Sequence, residues 1–367
     1  MSISDKRIFI TGGAGFIGSR LALRLIADGA QVTVLDNFHP QAHEGNPDNR
    51  ASLNVDGITV VEADVCDAAA LQAAMKAAQP HIVFHLAAET GTGQSFDLPT
   101  RYCNVNVIGT TTLIEAIRAT GGVERVIVAG SRSVYGEGAC VDADGLPAAA
   151  LERDPADLKN GDFAPKDRHG RSLTPVPTAA ASCPVAPASI YASSKLMQEY
   201  LLTQAFWGTD VEVGILRLQN VYGPGQSLNN PYTGVLSIFA RQIQEGKTLE
   251  IYEDGVITRD FVLVDDVARA FQMMAAADQM PKGIVDIGAG SGASILDVAR
   301  MMLVAFGESP DKLRITGAFR PGDIRYGVAD ISRAAELLKW EPAMDLKEGL
   351  EKLVLWSSQQ FHETTAG

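Results

Sequence analysis

The chain has 367 residues, 46% hydrophobic and 20% charged, enough apolar material for two domains or one large domain with an appended one. A net charge of −13 repels a nucleic-acid duplex and an anionic membrane surface, so neither is expected as a partner, and a bound anion must be gripped by a few local basic residues. Four scattered cysteines without a Cys-x-x-Cys pair, no apolar leader and no apolar run of spanning length point to a cytoplasmic chain with free thiols.

Arg7–Thr11 is a short β-prone run that ends in Thr11-Gly12-Gly13-Ala14-Gly15-Phe16-Ile17-Gly18. A helix is predicted over Ser19–Asp28, closed by Gly29, and a second strand over Gln31–Leu35 ends at Asp36 and Asn37. Strand, glycine turn, helix, strand and acidic residue form the context in which a glycine motif points to a dinucleotide. Gly12, Gly15 and Gly18 permit a tight turn, and the backbone N–H groups there approach a pyrophosphate at the helix N-terminus. Asp36 suits a ribose 2′-hydroxyl and repels a 2′-phosphate, which favours NAD over NADP.

The alternation continues through a strand at Ile58–Glu62 followed by Asp64-Val65, and a helix at Ala68–Ala78. A strand at His81–Leu86 leads into Ala87-Ala88, and a long helix is predicted at Asn104–Thr120. The strand Arg125–Ala129 delivers Gly130-Ser131-Arg132-Ser133. Strands separated by crossover helices predict a Rossmann-type doubly wound parallel α/β sheet, with ligands beyond the carboxyl ends of its strands. The glycine loop, Asp36, Asp64, Ala87 and Ser131 all fall at such ends.

Residues Glu137–Pro187 are rich in Pro, Ala, Gly and Asp and lack periodicity, so they are expected to fold over the mouth of the site. Cys140, His169 and Cys183 lie there, but their spacings match no common zinc pattern, and no metal is expected.

Ser189–Phe206 reads as a helix that opens with Tyr191-Ala192-Ser193-Ser194-Lys195. Residues four apart share a helical face. A lysine ammonium beside a phenol stabilises the phenolate and lowers its pKa, which makes the tyrosine a proton acceptor near neutrality. The spacing alone is common, and its company makes it a catalytic candidate. The strand Val211–Leu218 is followed by a helix within Asn229–Gln244, a strand at Leu249–Tyr252 and a strand at Arg259–Asp266 that enters another helix. A strand at Ile284–Ile287, a helix at Ala293–Phe306, the basic turn Arg320–Asp323 and a helix at Leu346–Phe361 complete the chain, and the last residues through Gly367 are expected to fray. Residues 1–188 read as the dinucleotide-binding domain with its insertion at about 137–187. Residues 189–367 read as the rest of that core (189–222) interleaved with a smaller C-terminal α/β substrate-binding region.

With these elements placed, the chain resembles the extended short-chain dehydrogenase/reductases of the nucleotide-sugar epimerase group over essentially its whole length. Thr11–Gly18, His85–Ala88, Asn106–Thr110, Ser131–Gly136, Tyr191–Lys195, Arg217–Gly225 and Arg259–Asp266 carry the resemblance. His85–Ser95, Leu173–Thr178, Leu216–Gln226 and Asn230–Phe239 look similar to dTDP-L-rhamnose 4-epimerase-like members. The resemblance implies NAD-dependent C4 epimerisation of a nucleoside-diphosphate sugar, such as a dTDP-6-deoxyhexose, through a transient 4-keto sugar. It implies that Tyr191 is the base, that Lys195 tunes it and holds the nicotinamide ribose, and that Ser131 hydrogen-bonds the reacting hydroxyl. Gly12, Gly15, Phe16, Ile17, Gly18, Asp36, Asn37, Asp64, Val65, Leu86, Ala87, Ala88 and Asn106 would join Tyr191 and Lys195 around the cofactor. Asn220, Arg259 and Arg320 would grip the diphosphate, with Thr90, Ser133, Val235, Tyr252 and Asp323 on the substrate side. A residue-level alternative makes Arg259 an ion-pair partner of Asp260 or Asp265.

Two departures narrow the reading. UDP-galactose epimerases typically carry a lysine where Thr90 stands. The 4,6-dehydratases carry an Asp-Glu pair where Arg132 and Ser133 stand, and neither of these can serve as acid or base at neutral pH. A nucleotide-sugar 4-ketoreductase and a UDP-hexose 4-epimerase are the alternatives on the same fold. The resemblance also implies a homodimer paired through Asn104–Thr120 and Ser189–Phe206, with Leu113, Ile117 and Leu201 either on the paired faces or in the core.

Overall fold

The computed structural model describes residues 3–43, 48–230, 232, 234–320 and 322–366. Pro231 and Thr233 of the predicted Asn229–Gln244 helix, Pro321 of the basic turn and the terminal Gly367 lie outside the described residues.

Seven parallel strands make the central sheet. They are β1 (Arg7–Thr11), β2 (Gln31–Asp36), β3 (Ile58–Glu62), β4 (Ile82–His85), β5 (Arg125–Ser131), β6 (Glu212–Leu218) and β7 (Ile284–Ile287). Their order is β7-β6-β5-β4-β1-β2-β3, with the switch point between β1 and β4. This is the doubly wound Rossmann arrangement. Alternation along β1 shows how both faces are filled, since side chains alternate across a strand. Ile8 and Ile10 pack with α1 (Phe16–Ala27), and Phe271 and Trp340 bury in the same cluster. Phe9 points the other way, toward Leu71 and Met75 of α2 (Ala68–Ala78), Leu113 and Ile117 of α3 (Gly109–Thr120), and Leu202 of α4 (Ile190–Ala205). Burying each large apolar side chain contributes about 1.5–3 kcal/mol.

Several predicted elements differ in detail. Helix α1 begins at Phe16, directly out of the glycine loop, rather than at Ser19. The predicted Asn104–Thr120 helix is a π-helical turn over Cys103–Ile108 followed by α3. The wider turn buries Asn106 completely. The helix after Asn229 starts at Val235, and Ala293–Ser294 is a short strand ahead of the helix Ile295–Ala305. Arg259 and Phe261 belong to different small sheets, because the buried Asp260 carboxylate accepts from the Ala289, Gly290 and Ala329 amides and breaks the strand. Leu113 and Ile117 are buried core, and Leu201 packs against that core, so these residues do not form an outer face.

The smaller region packs Leu236, Phe239 and Ile243 of Val235–Gln244 against Val298 and Met302, with Leu350 and Leu353 of the helix Leu346–Ala366. Residues 137–187 are ordered. Ala139–Val141 pairs antiparallel with Pro147–Ala149 and with Thr174–Pro175, and Pro155–Lys159 is one helical turn. No helix of the described residues is long and apolar enough to cross a membrane.

Candidate active site

A cavity of about 920 Å³ opens at the carboxyl edge of the sheet, between the Rossmann body and the smaller region. One wall is the glycine loop. Gly12 has φ +67°, and a Cβ on it would lie 2.6 Å from the Ala87 nitrogen, while a Cβ on Gly18 would lie 2.4 Å from the Gly12 oxygen. Only glycine lets this loop fold against β4 and open α1. Asp36, at the end of β2, accepts from Ala14 N–H at 3.0 Å and Phe38 N–H at 2.9 Å, and its Oδ1 contacts His43 Nε2 at 3.1 Å. Phe16, Ile17, Asn37, Val65, Leu86, Ala87 and Ala88 complete this wall. A backbone cradle without room for side chains, next to a buried carboxylate, fits a pyrophosphate and a ribose.

Asp64 sits between the lining residues Ala63 and Val65, and Asn106 is fully buried. Asp64 accepts from Asn37 Nδ2 and Cys66 N–H, each at 2.8 Å. Asn106 accepts from Glu89 N–H at 2.8 Å and donates to Glu89 O at 3.1 Å and Ser194 Oγ at 2.9 Å. Its amide fastens the loop after β4 to α4, and its groups are taken up by that task.

The candidate catalytic residues converge in the middle. Ser131 ends β5, and its Oγ lies 2.9 Å from Ser133 Oγ. Ser189 caps α4 by accepting from Ala192 N–H at 3.0 Å, which sets Tyr191 and Lys195 on the first turns. Burial pushes the Tyr191 phenol above its ordinary value, while a hydrogen bond with Ser131 and the charge of Arg132 pull it down. The Lys195 ammonium donates to Gln198 Oε1, three residues along the same helical face. Burial brings Lys195 down to about 8, with Glu199 opposing. Arg132, which the sequence showed only as the residue standing in a dehydratase position, is the cation acting on the phenol. Its own value falls to about 10 through burial and the neighbouring Arg259, with Asp323 and Glu137 opposing.

The far wall is basic. Arg259 pairs with Asp323, rather than with Asp260 or Asp265, and its Nη1 donates to Thr258 O at 2.9 Å. The Arg320 guanidinium lies 4.6 Å from the centre of the Tyr252 ring. Thr90, Ser133, Asn220 and Val235 line the same cavity. Asn220 is in a strand paired with Phe261. Glu89, the neighbour of Thr90, and Arg101 form an ion pair at 2.8 Å that also lines the cavity, and nothing in the sequence spacing points to Arg101. Among the described residues, no three His, Cys, Asp or Glu side chains gather as a metal site.

The fold and this cavity define a dinucleotide-dependent α/β enzyme. The model of the NAD dependent epimerase/dehydratase family matches residues 8–154 and 167–288, and the chain belongs to that family. NAD is accordingly its cofactor. It is 42% identical to dTDP-L-rhamnose 4-epimerase of Burkholderia thailandensis, over 98% of this chain and 97% of that one. Its structure is similar to that of UDP-N-acetylglucosamine 4-epimerase from Methanobrevibacter ruminantium M1 in complex with UDP-N-acetylmuramic acid, with TM-score 0.78 and 28% identity over 97% and 99% of the two chains. It is also similar to UDP-glucuronic acid 4-epimerase from Bacillus cereus in complex with UDP-glucuronic acid and NAD, with TM-score 0.77 and 26% identity over 96% and 99%.

Proposed function

We propose that the protein interconverts the C4 epimers of a nucleoside-diphosphate sugar, a dTDP-6-deoxyhexose such as dTDP-L-rhamnose. The observation that carries this is the position of Ser131, Tyr191 and Lys195 in one cavity between the glycine cradle and the Arg259/Arg320 wall. Bound NAD supplies a reversible hydride acceptor for C4. The protein's part is orientation and proton transfer. Tyr191 Oη accepts the proton of the 4-hydroxyl, and Ser131 Oγ holds that hydroxyl in line. When the 4-keto sugar has turned, Tyr191 returns the proton on the product side. Arg132 stabilises the phenolate while it carries the charge. Arg259 and Arg320 hold the diphosphate firmly, which leaves the sugar free to turn. Asp323 holds Arg259 ready for it. The 42% identity to a dTDP-L-rhamnose 4-epimerase supports the sugar.

Epimerisation restores the cofactor, so the purified protein should act without added NAD. Incubation with dTDP-L-rhamnose, UDP-glucose and UDP-galactose, followed by proton NMR, tests this. Appearance of the C4 epimer of dTDP-L-rhamnose is the expected result. No conversion, together with turnover of a 4-keto sugar when NAD(P)H is supplied, would make the protein a ketoreductase. A cytoplasmic homodimer belongs to the same reading. Exposed Ile108, Met197 and Tyr200, on the π-helical turn and α4, support the pairing, and sedimentation as a monomer would refute it.

A further inference from the structure

Buried charges stitch the insertion, residues 137–187, to the arginine wall. The Arg153 side chain is 3% exposed. Its Nε lies 3.0 Å from Glu137 Oε1 as an ion pair without hydrogen-bond geometry, and its Nη1 donates to Glu253 Oε2 at 3.0 Å. Its Nη2 donates to the main-chain oxygen of Asp323 at 2.9 Å. Glu137 Oε2 accepts the Arg325 N–H at 2.9 Å. Glu253 and Asp254 take the Arg325 guanidinium at 2.9 and 2.7 Å. Farther along, Thr178 of the insertion donates its N–H to Val328 O and accepts from Asp330 N–H, both at 2.9 Å.

These bonds bear on the two arginines of the wall. The carboxylate of Asp323 holds Arg259, while the main-chain oxygen of the same residue is held by Arg153. Tyr252, under Arg320, directly precedes Glu253, which Arg153 also holds. Arg259 therefore rests on a residue that Arg153 holds, and Arg320 on the chain neighbour of another.

We propose that Arg153 is a positioning residue for nucleoside-diphosphate binding, and that the insertion is a fixed buttress setting Arg259 and Arg320 for the diphosphate. The proposal rests on the substrate reading above. The chemistry requires arginine. A planar guanidinium can donate to one carboxylate and one carbonyl while its charge faces a second carboxylate, which the single ammonium of lysine cannot match in that geometry. A wall held in place before the ligand arrives avoids the ordering cost on binding.

The test compares wild-type holoenzyme with Arg153→Lys, which keeps a cation opposite Glu137 and Glu253 and so preserves folding, and with Arg153→Met. Calorimetric titration with dTDP reads the diphosphate site, and hydrogen exchange of the Ile324 and Arg325 amides reads the buttress without ligand. Expected for Arg153→Lys is dTDP binding about tenfold weaker and faster exchange at both amides, with NAD content unchanged even where the thermal midpoint falls; Arg153→Met should lose more affinity. A general weakening of the fold would instead lower NAD content and midpoint together. Arg153→Lys with wild-type dTDP affinity and wild-type exchange overturns the proposal. A wild-type protein that binds neither dTDP nor UDP overturns the substrate reading instead, and the exchange comparison still decides whether Arg153 holds the wall.

Discussion

Gln198 accepts the Lys195 ammonium on Oε1, and its Nε2 donates to His85 Nε2 and Thr110 Oγ1, each at 3.0 Å. The chain is buried, and it ends where His85 Nδ1 lies 2.8 Å from Thr11 Oγ1, beside the glycine loop. Because the Gln198 amide presents its nitrogen, His85 Nε2 is the acceptor and Nδ1 carries the proton. Lys195 at about 8 loses its charge well below an ordinary lysine. The resemblance gives Lys195 the nicotinamide ribose to hold, so epimerisation should decline above about pH 8 as its ammonium is lost. Stability moves the other way: between about 8 and the ordinary 10.5 the unfolded chain binds more protons, so folding gains as pH rises through that window. Gln198→Leu removes a charge-assisted hydrogen bond, and the alkaline limb of kcat should fall by about one pH unit or more. An unchanged limb in the kcat profile would rule out this role for Gln198.

His85 is brought down to about 3, first by burial and then by Lys195. Its folded value lies below the ordinary 6.5, so its contribution is fully present above 6.5 and is lost as pH falls toward 3. Asp260 and Asp286, each raised to about 6 by burial, act in the opposite sense. The thermal midpoint of His85→Gln minus that of wild type should therefore rise steadily as pH drops from 6.5 to 4.

Glu199 and Arg217 form an enclosed ion pair, Nη2 to Oε2 at 2.7 Å, with 2% and 3% of their side chains exposed. The guanidinium also lies 4.6 Å from the centre of the Tyr135 ring, and Tyr135 donates to Asp286 at 2.6 Å. Glu199→Ala leaves a buried cation unpaired and should cost about 3–5 kcal/mol in urea unfolding. Gly130→Ala should also destabilise, because its Cβ would lie 2.7 Å from Glu199 Oε1.

Gly18→Ala places its Cβ 2.4 Å from the Gly12 oxygen and 2.6 Å from Gly13 Cα, both backbone atoms that cannot swing aside. Purified Gly18→Ala should carry little NAD, as measured by chromatography of the acid extract, and activity should return in part when NAD is added in excess.

Tyr191→Phe removes the proton acceptor and should lower kcat by about 10²–10⁴ with NAD content intact. Arg132→Met keeps the phenol but removes the cation that pulls it down, so the acid limb of kcat should move to higher pH. Loss of NAD in Tyr191→Phe would point to a structural role for the tyrosine.

Much of this molecule is local, and so it could be read from sequence. The Gly12–Gly18 spacing, the β-prone runs ending at Asp36 and Ser131, and the Tyr191/Lys195 face are set by backbone sterics and strand or helix period, which act over a few residues. The insertion was less legible. Its order comes from Arg153 meeting Glu137, Glu253 and Asp323, contacts up to 170 residues apart in the chain that leave no periodic trace. The sequence by itself determined the parallel sheet, the glycine cradle and which residues reach its carboxyl edge. The tertiary structure alone shows that Gln198 takes the lysine, that the charge of Arg132 acts on the tyrosine, and that Asn106 ties the loop after β4 to α4. The reason is that a side chain's partner depends on which groups burial brings within hydrogen-bonding distance; Gln198 shares a helix with Lys195, but its other partners, His85 and Thr110, come from far along the chain.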